Sequence, residues 1–255
     1  MEVASAPVIL ESLTRAPLSV VMPVFNEADG IEGVVRETAA ELLDRLDGAE
    51  LVLVDDASTD ATPAILDRLA AEDDRLKVHH APRNGGHGPA LRRALDESTG
   101  DWIFQIDSDG QQLLSEFWKL WERRHDADLV IGKRPIHRNG RHRIVVSAGA
   151  RYVSRGLGGG DIRDVNCPFK LFRRAVWEDL RDDIPASPMV PSLLIAFGAA
   201  LRGWRIEQTG VTSLPRAHGR STVNVPALVR LSTGAVREVV AFRLGLARRR
   251  PRSRT

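Results

Sequence analysis

From residue 18 onward, short apolar runs alternate with stretches of helical periodicity, and this alternation narrows the fold more than any other feature. Leu51-Val52-Leu53-Val54 has no polar position, as a strand covered on both faces requires. Leu18–Val24, Leu76–His79, Trp102–Ile106 and Leu129–Ile131 are further strand candidates. Between them, Ile31–Leu46 carries apolar residues at helical spacing. Asp60 or Thr62 stands where a cap belongs, with Pro63 in the first turn of the helix that follows. The glycine turn Gly85–Pro89 leads into a helix over Ala90–Glu97. Strand-helix alternation of this kind predicts an α/β fold, Rossmann-like, with a mostly parallel central sheet and helices on both faces. The second half is less regular. It predicts a helix over Ile144–Leu157, a strand over Phe169–Phe172, a buried helix over Leu193–Leu201 and a short strand over Trp204–Glu207.

The chain has 255 residues, enough for one such domain and a small extension. A net charge of only +2 argues against a nucleic-acid partner. Arg243, Arg248, Arg249, Arg250, Arg252 and Arg254 crowd the C-terminus, and without them the remainder is net acidic. The single cysteine, Cys167, allows no intrachain disulfide and reads as a buried small residue of a cytoplasmic protein. Residues 1–17 read as a flexible leader, because they lack the basic start and long apolar run of a signal peptide. No run reaches the ~18 apolar residues of a spanning helix. Val225–Leu246 is apolar, with Arg230, Arg237, Glu238 and Arg243 interspersed. With the arginine tail, this segment has two readings. One is a peripheral contact at the inner face of an anionic membrane, and the other is a helix packed on the domain before a solvated tail.

Ligands of open α/β sheets bind beyond the carboxyl ends of the strands. Asn26 and Glu27, Asp55 and Asp56, Arg83 to Gly86, Asp107 and Asp109, and Lys133 and Arg134 each follow one predicted strand. Five such clusters on one rim predict a single cleft that handles charge. Asp107-Ser108-Asp109 sets two carboxylates where a strand opens into a loop, suited to a hard cation such as Mg²⁺ or Mn²⁺, with Gln111 as a neutral oxygen ligand. The same aspartates also read as a turn that caps a helix from Leu113. Asp55, at the end of a buried strand, suits a base N–H, while Ser58, Thr59 and Asp60 suit the turn after it. His87 reads mainly as a polar loop residue, and Trp118 and Trp121 as packing.

Four segments, in order, resemble the motifs of family 2 glycosyltransferases of the GT-A fold: Val21–Glu27, Val54–Asp60, Asn84–Ala90 and Gln105–Gln111. The resemblance covers residues 18–134 and makes them a nucleotide-sugar-binding half, with residues 135–224 as the acceptor half and 225–255 as a C-terminal helix and tail. It implies that Pro23, Phe25, Glu27, Asp55, Gly86 and Asp107 bind a UDP- or GDP-linked sugar. It also implies that Asp107, Asp109 and Gln111 hold the metal. Asp164–Arg174 and Arg216–Thr222 are similar to segments of the polyprenyl-phosphate branch, related to dolichol-phosphate-mannose synthase. On that likeness Arg134, Arg216 and Ser221 bind the acceptor phosphate, and Asp107, Asp109, Arg134 and Arg216 form the catalytic set. Ile184–Arg205 contains no Asp or Glu, so the carboxylate base that a hydroxyl acceptor needs is missing there, whereas a phosphate acceptor is already anionic. Asp161 or Asp164 remains available as a base.

The expected activity is therefore inverting, metal-dependent transfer of a hexose-type sugar to a polyprenyl phosphate. The alternative is a soluble family member acting on a small molecule. Two family habits are absent: an apolar residue usually stands at Gly110, and a small residue at Pro168. A nucleotidyltransferase is disfavoured, because Pro23–Gly30 has no Lys or Arg to hold phosphates.

Overall fold

The computed structural model describes residues 17–134, 156, 158, 161–214 and 225–248, the last of these with side chains only over 234–246. The predicted helix Ile144–Leu157 lies outside the described residues except for Gly156, and Arg216 and Ser221 lie outside them as well.

Seven strands form one sheet: β1 Leu18–Val24, β2 Glu50–Asp55, β3 Leu76–His80, β4 Trp102–Gln105, β5 Leu129–Lys133, β6 Lys170–Arg173 and β7 Ile206–Gly210. Their order is β3-β2-β1-β4-β6-β5-β7. Every pairing is parallel except the two made by β6, which runs against both β4 and β5. The mostly parallel sheet is as expected, and the antiparallel insertion of β6 is new. Because the remaining strands share one direction, their carboxyl ends define one rim. Chain order reverses between β1 and β4, the switch point where such sheets open a crevice.

The helices are α1 Ile31–Thr38, α2 Thr62–Glu72, α3 His87–Glu97, α4 Phe117–Arg123, α5 Arg174–Leu180, α6 Pro191–Leu201 and α7 Val225–Arg248. They lie on both faces. Phe104 meets Phe117 of α4 edge to face at 4.8 Å. Its register partner in β6 is Leu171, and the residue before that, Lys170, points the other way, to Ser192 of α6. Because strand side chains alternate, α4 and α6 cover opposite faces. Trp118 joins α4 to the first layer by donating to Glu41 at 2.8 Å, under the guanidinium of Arg45. Trp121 stacks on Phe117, so both tryptophans are packing residues as expected.

Several boundaries differ from the sequence reading. α1 continues into a π-helical turn, Ala39–Leu43, which turns both Leu42 and Leu43 inward. α3 starts three residues early, at His87, and Gly88 allows it: a Cβ there would stand 1.6 Å from the Pro188 carbonyl oxygen. Neither Asp60 nor Thr62 is the N-cap of α2, whose cap position is Ala61. Asp60 instead accepts the Thr62 and Ala28 N–H groups, joining the β1 and β2 loops. The strand expected at Trp204 begins at Ile206, because the Trp204 N–H bonds back to Ala199 and ends α6. α7 buries Val239, Phe242 and Leu246, and leaves Val236, Val240 and Leu244 exposed. No helix among the described residues is long and apolar enough to cross a membrane.

Candidate active site

The β1 and β2 loops are zipped together. The Asn26 N–H donates to Ser58 Oγ (2.9 Å), Thr59 N–H to Asn26 Oδ1 (2.8 Å) and Glu27 N–H to Thr62 Oγ1 (3.0 Å). Asn26 and Ala57 hold positive φ, 52° and 57°, which costs L-residues energy and marks a tightly determined turn. Ser58, Thr59 and Asp60 are thus structural, as expected. Pro23 is buried in β1 opposite Val54, while Phe25 stands 43% exposed on the rim. Glu27 is half-buried beside it.

Asp55 is only 1% exposed and both its oxygens are engaged. Oδ1 accepts the Ser58 N–H at 3.1 Å, and Oδ2 lies 2.9 Å from His80 Nδ1. The second His80 nitrogen meets Asp67 at 3.0 Å. The bonds to Asp55 and Asp67 outweigh burial and raise the His80 pKa, so the charged imidazolium is favoured between the two carboxylates. The Arg93 guanidinium of α3 donates to the His80 carbonyl at 2.9 Å. A raised folded-state pKa contributes stability that is complete below the unfolded value of about 6.5 and is lost as pH rises through the folded one. The melting temperature of the wild type should therefore fall, relative to His80→Gln, as pH rises above neutrality. Parallel melting curves of the two proteins from pH 6 to 9 would refute the charged bridge.

Asp56, 3% exposed, clamps the glycine turn. Its carboxylate accepts the Gly85 N–H at 2.8 Å and the Gly86 N–H at 2.7 Å. Sequence reasoning gave Asp56 no role of its own, although its position after Asp55 at a strand end was the available signal. Gly86 sits at φ 90°, at the N-cap of α3.

The turn after β4 carries Asp107 and Asp109. Gly110 takes φ 65°, a left-handed position that explains glycine where an apolar residue is usual. Asp109 Oδ1 accepts the Gln111 N–H at 3.1 Å. Asp109 thus shapes the turn, as one reading expected, but the next helical turn, Leu114–Glu116, has no side-chain cap, so the expected helix cap is corrected. His87 is more than a polar loop residue, since its Nε2 lies 3.1 Å from Asp107 Oδ1. Burial works to raise the Asp107 carboxyl, but the His87 hydrogen bond and the charges of Arg134 and Lys170 outweigh it and keep the carboxylate ionised. Among the described residues no three His, Cys, Asp or Glu side chains group as a metal cage. Two carboxylates and an amide oxygen fit instead a hard cation that completes its shell with substrate phosphates.

Across the rim, Arg134 donates to both oxygens of Asp164, at 2.8 and 3.1 Å. Burial opposes the Arg134 charge, and the Asp164 carboxylate more than restores it. Leu214, the last described residue before Arg216, donates its N–H to the Gln111 carbonyl at 2.7 Å. Cys167 is buried and its thiol is pushed up to about 11 by burial, as an inert thiol should be. Lys170, unremarked in the sequence, is fully buried beneath this segment.

A family model described as Glycosyl transferase family 2 matches residues 19–181. The chain is similar to Glycosyltransferase AglD of Haloferax volcanii, 34% identical over 207 residues, which cover 78% of this chain and 33% of AglD. It is also similar to the undecaprenyl-phosphate 4-deoxy-4-formamido-L-arabinose transferase of Pseudomonas aeruginosa, 29% identical over 222 residues, 84% of this chain and 62% of that protein. The chain thus spans a third of the first relative and under two thirds of the second. Among solved structures, glucosyl-3-phosphoglycerate synthase from Mycobacterium tuberculosis, with Mn²⁺, UDP and glucosyl-3-phosphoglycerate bound, superposes with a TM-score of 0.69 at 21% identity, over 95% of this chain and 85% of that one. That likeness gives the GT-A sheet architecture. Together with the match over residues 19–181, it completes the assignment: the chain belongs to glycosyl transferase family 2.

Proposed function

We propose that this chain is the catalytic domain of an inverting, metal-dependent glycosyltransferase that moves a hexose-type sugar from a UDP- or GDP-linked donor to a polyprenyl phosphate. The observation that carries the acceptor assignment is the Arg134–Asp164 pair. Both Asp164 oxygens face the Arg134 guanidinium and are occupied by it, so Asp164 is poorly placed to take a proton from a hydroxyl. A phosphate acceptor needs no such base. Relatives named as a dodecaprenyl-phosphate galacturonate synthase and an undecaprenyl-phosphate 4-deoxy-4-formamido-L-arabinose transferase support the same choice.

In this reading Phe25, Glu27, Asp55 and Gly86 hold the nucleotide end of the donor. Arg134, with Arg216 and Ser221 from the segment outside the described residues, holds the acceptor phosphate. A phosphate oxygen attacks the anomeric carbon. The bond from that carbon to the diphosphate breaks, and its electron pair leaves with the diphosphate. Attack opposite the leaving group inverts the anomeric configuration. Asp107, Asp109 and Gln111 would hold Mg²⁺ or Mn²⁺, which supplies charge neutralisation for the departing diphosphate. Mn²⁺ in the solved synthase supports a divalent ion here. The exposed Val236, Val240 and Leu244, beside Arg237 and Arg243, support peripheral attachment of α7 to an anionic membrane surface.

The alternative of a soluble acceptor draws on the same synthase, solved with phosphoglyceric acid. Incubation with UDP- and GDP-sugars, Mn²⁺ or Mg²⁺, and either a short polyprenyl phosphate or soluble acceptors separates the two. A lipid-phosphate sugar of inverted configuration is expected. Product only on soluble acceptors would transfer the assignment to the alternative, and no donor turnover with any metal would defeat both.

A further inference from the structure

Lys170 opens β6 and is wholly buried, yet among the described residues its hydrogen-bond partners include no carboxylate. Its ammonium donates to the Val165 carbonyl at 3.1 Å, to the Cys167 carbonyl and to Ser192 Oγ in the first turn of α6. Burial drags the amine down to about 8, which leaves it mostly charged at neutral pH. Across the β4–β6 ladder its register partner is Gln105, whose buried side-chain amide has no hydrogen-bond partner among the described residues. Carboxylates reach Lys170 only through longer-range attraction, from Asp164 and Asp107, and this does not offset its burial. A methionine would fill this volume without desolvating a charge, so the ammonium is costly as packing. What it does do is gather two inward-turned carbonyls from one loop and tie them to α6. That loop also carries Asp164, the bidentate partner of Arg134.

We propose that Lys170 is a positioning residue for the acceptor: it holds the 164–167 loop so that Asp164 presents Arg134 to the acceptor phosphate. The proposal rests on the phosphate-acceptor reading for its kinetic consequence, whereas the tethering itself is independent of it. Lys170 touches neither substrate, and it acts through Asp164 and Arg134.

The test uses the full chain, with Lys170→Met and Ser192→Ala. Three quantities are measured: amide hydrogen exchange over residues 164–167, KM for a short polyprenyl phosphate, and the affinity for UDP or GDP with Mn²⁺. In Lys170→Met, exchange of these amides should quicken about tenfold and acceptor KM should rise about tenfold, with nucleotide affinity within about twofold of wild type. Ser192→Ala removes one of the three ammonium partners and should move the first two readouts in the same sense, by about threefold. Unchanged exchange and unchanged acceptor KM in folded Lys170→Met would overturn the proposal. So would an equal loss of nucleotide affinity, which marks a general packing role. If Lys170→Met does not fold, Ser192→Ala decides by the same criteria. If the wild type transfers no sugar to polyprenyl phosphate, the acceptor reading fails, and the exchange measurement alone decides the tether.

Discussion

Replacing Asp109 by alanine is expected to lower sugar transfer by about 10²–10³-fold, the scale on which electrostatic stabilisation of a leaving group acts. Asp109 lies on a turn, where its Oδ1 accepts the Gln111 N–H, a bond whose loss costs about 1 kcal/mol. Activity and melting temperature should thus separate. Chelation of divalent ions should bring the wild type down to the level of Asp109→Ala, and should leave the variant itself unmoved. Nucleoside diphosphate should lose its metal-dependent gain in affinity in the variant. Turnover within about threefold of wild type at saturating Mn²⁺ would remove Asp109 from the metal site. Asp107→Ala is the less clean experiment, because it also strips His87 of its partner.

The second large effect concerns Arg134. Its pair with Asp164 is largely shielded, with side chains 19% and 13% exposed. Removing one partner of such a pair costs about 3–5 kcal/mol, because the other charge is left uncompensated. Arg134→Ala should therefore both destabilise the protein and abolish capture of the acceptor phosphate. Arg134→Ala/Asp164→Ala should recover much of the stability and none of the transfer. Asp164→Ala alone should keep some transfer, since the guanidinium remains. Arg134→Lys should not rescue, because an ammonium cannot reproduce the two-pronged geometry. Stability and transfer that recover together in the double variant would show the pair to be scaffold only.

Much of this was legible in the chain. Apolar runs of strand length separated by helical periods announced the parallel sheet, since burial on both faces leaves a strand no polar position. The loops at strand ends announced the rim, and their order announced the family. Asp107 and Asp109 were legible as charges, but that they do not cap the Leu114–Glu116 turn was visible only in the turn geometry around Gly110. Boundaries slipped where a contact outside the apolar periodicity decides, as at Gly88 against the distant Pro188, or where Trp204 bonds back to Ala199 at the end of α6.

By itself, then, the sequence determined the class of sheet, the rim and the chemical types that line it, because propensity, burial pattern and turn chemistry are local. Only the tertiary structure decided which of those groups meet. His80 meets Asp55, Asp56 meets Gly85 and Gly86, His87 meets Asp107, and Arg134 meets Asp164, each across 20 to 30 residues of chain. The antiparallel entry of β6 between β4 and β5 sets Lys170 beneath the 164–167 loop. Such pairings depend on strand order and on which face each side chain takes. Those are properties of crossovers that close long loops, and no spacing within a single segment encodes them.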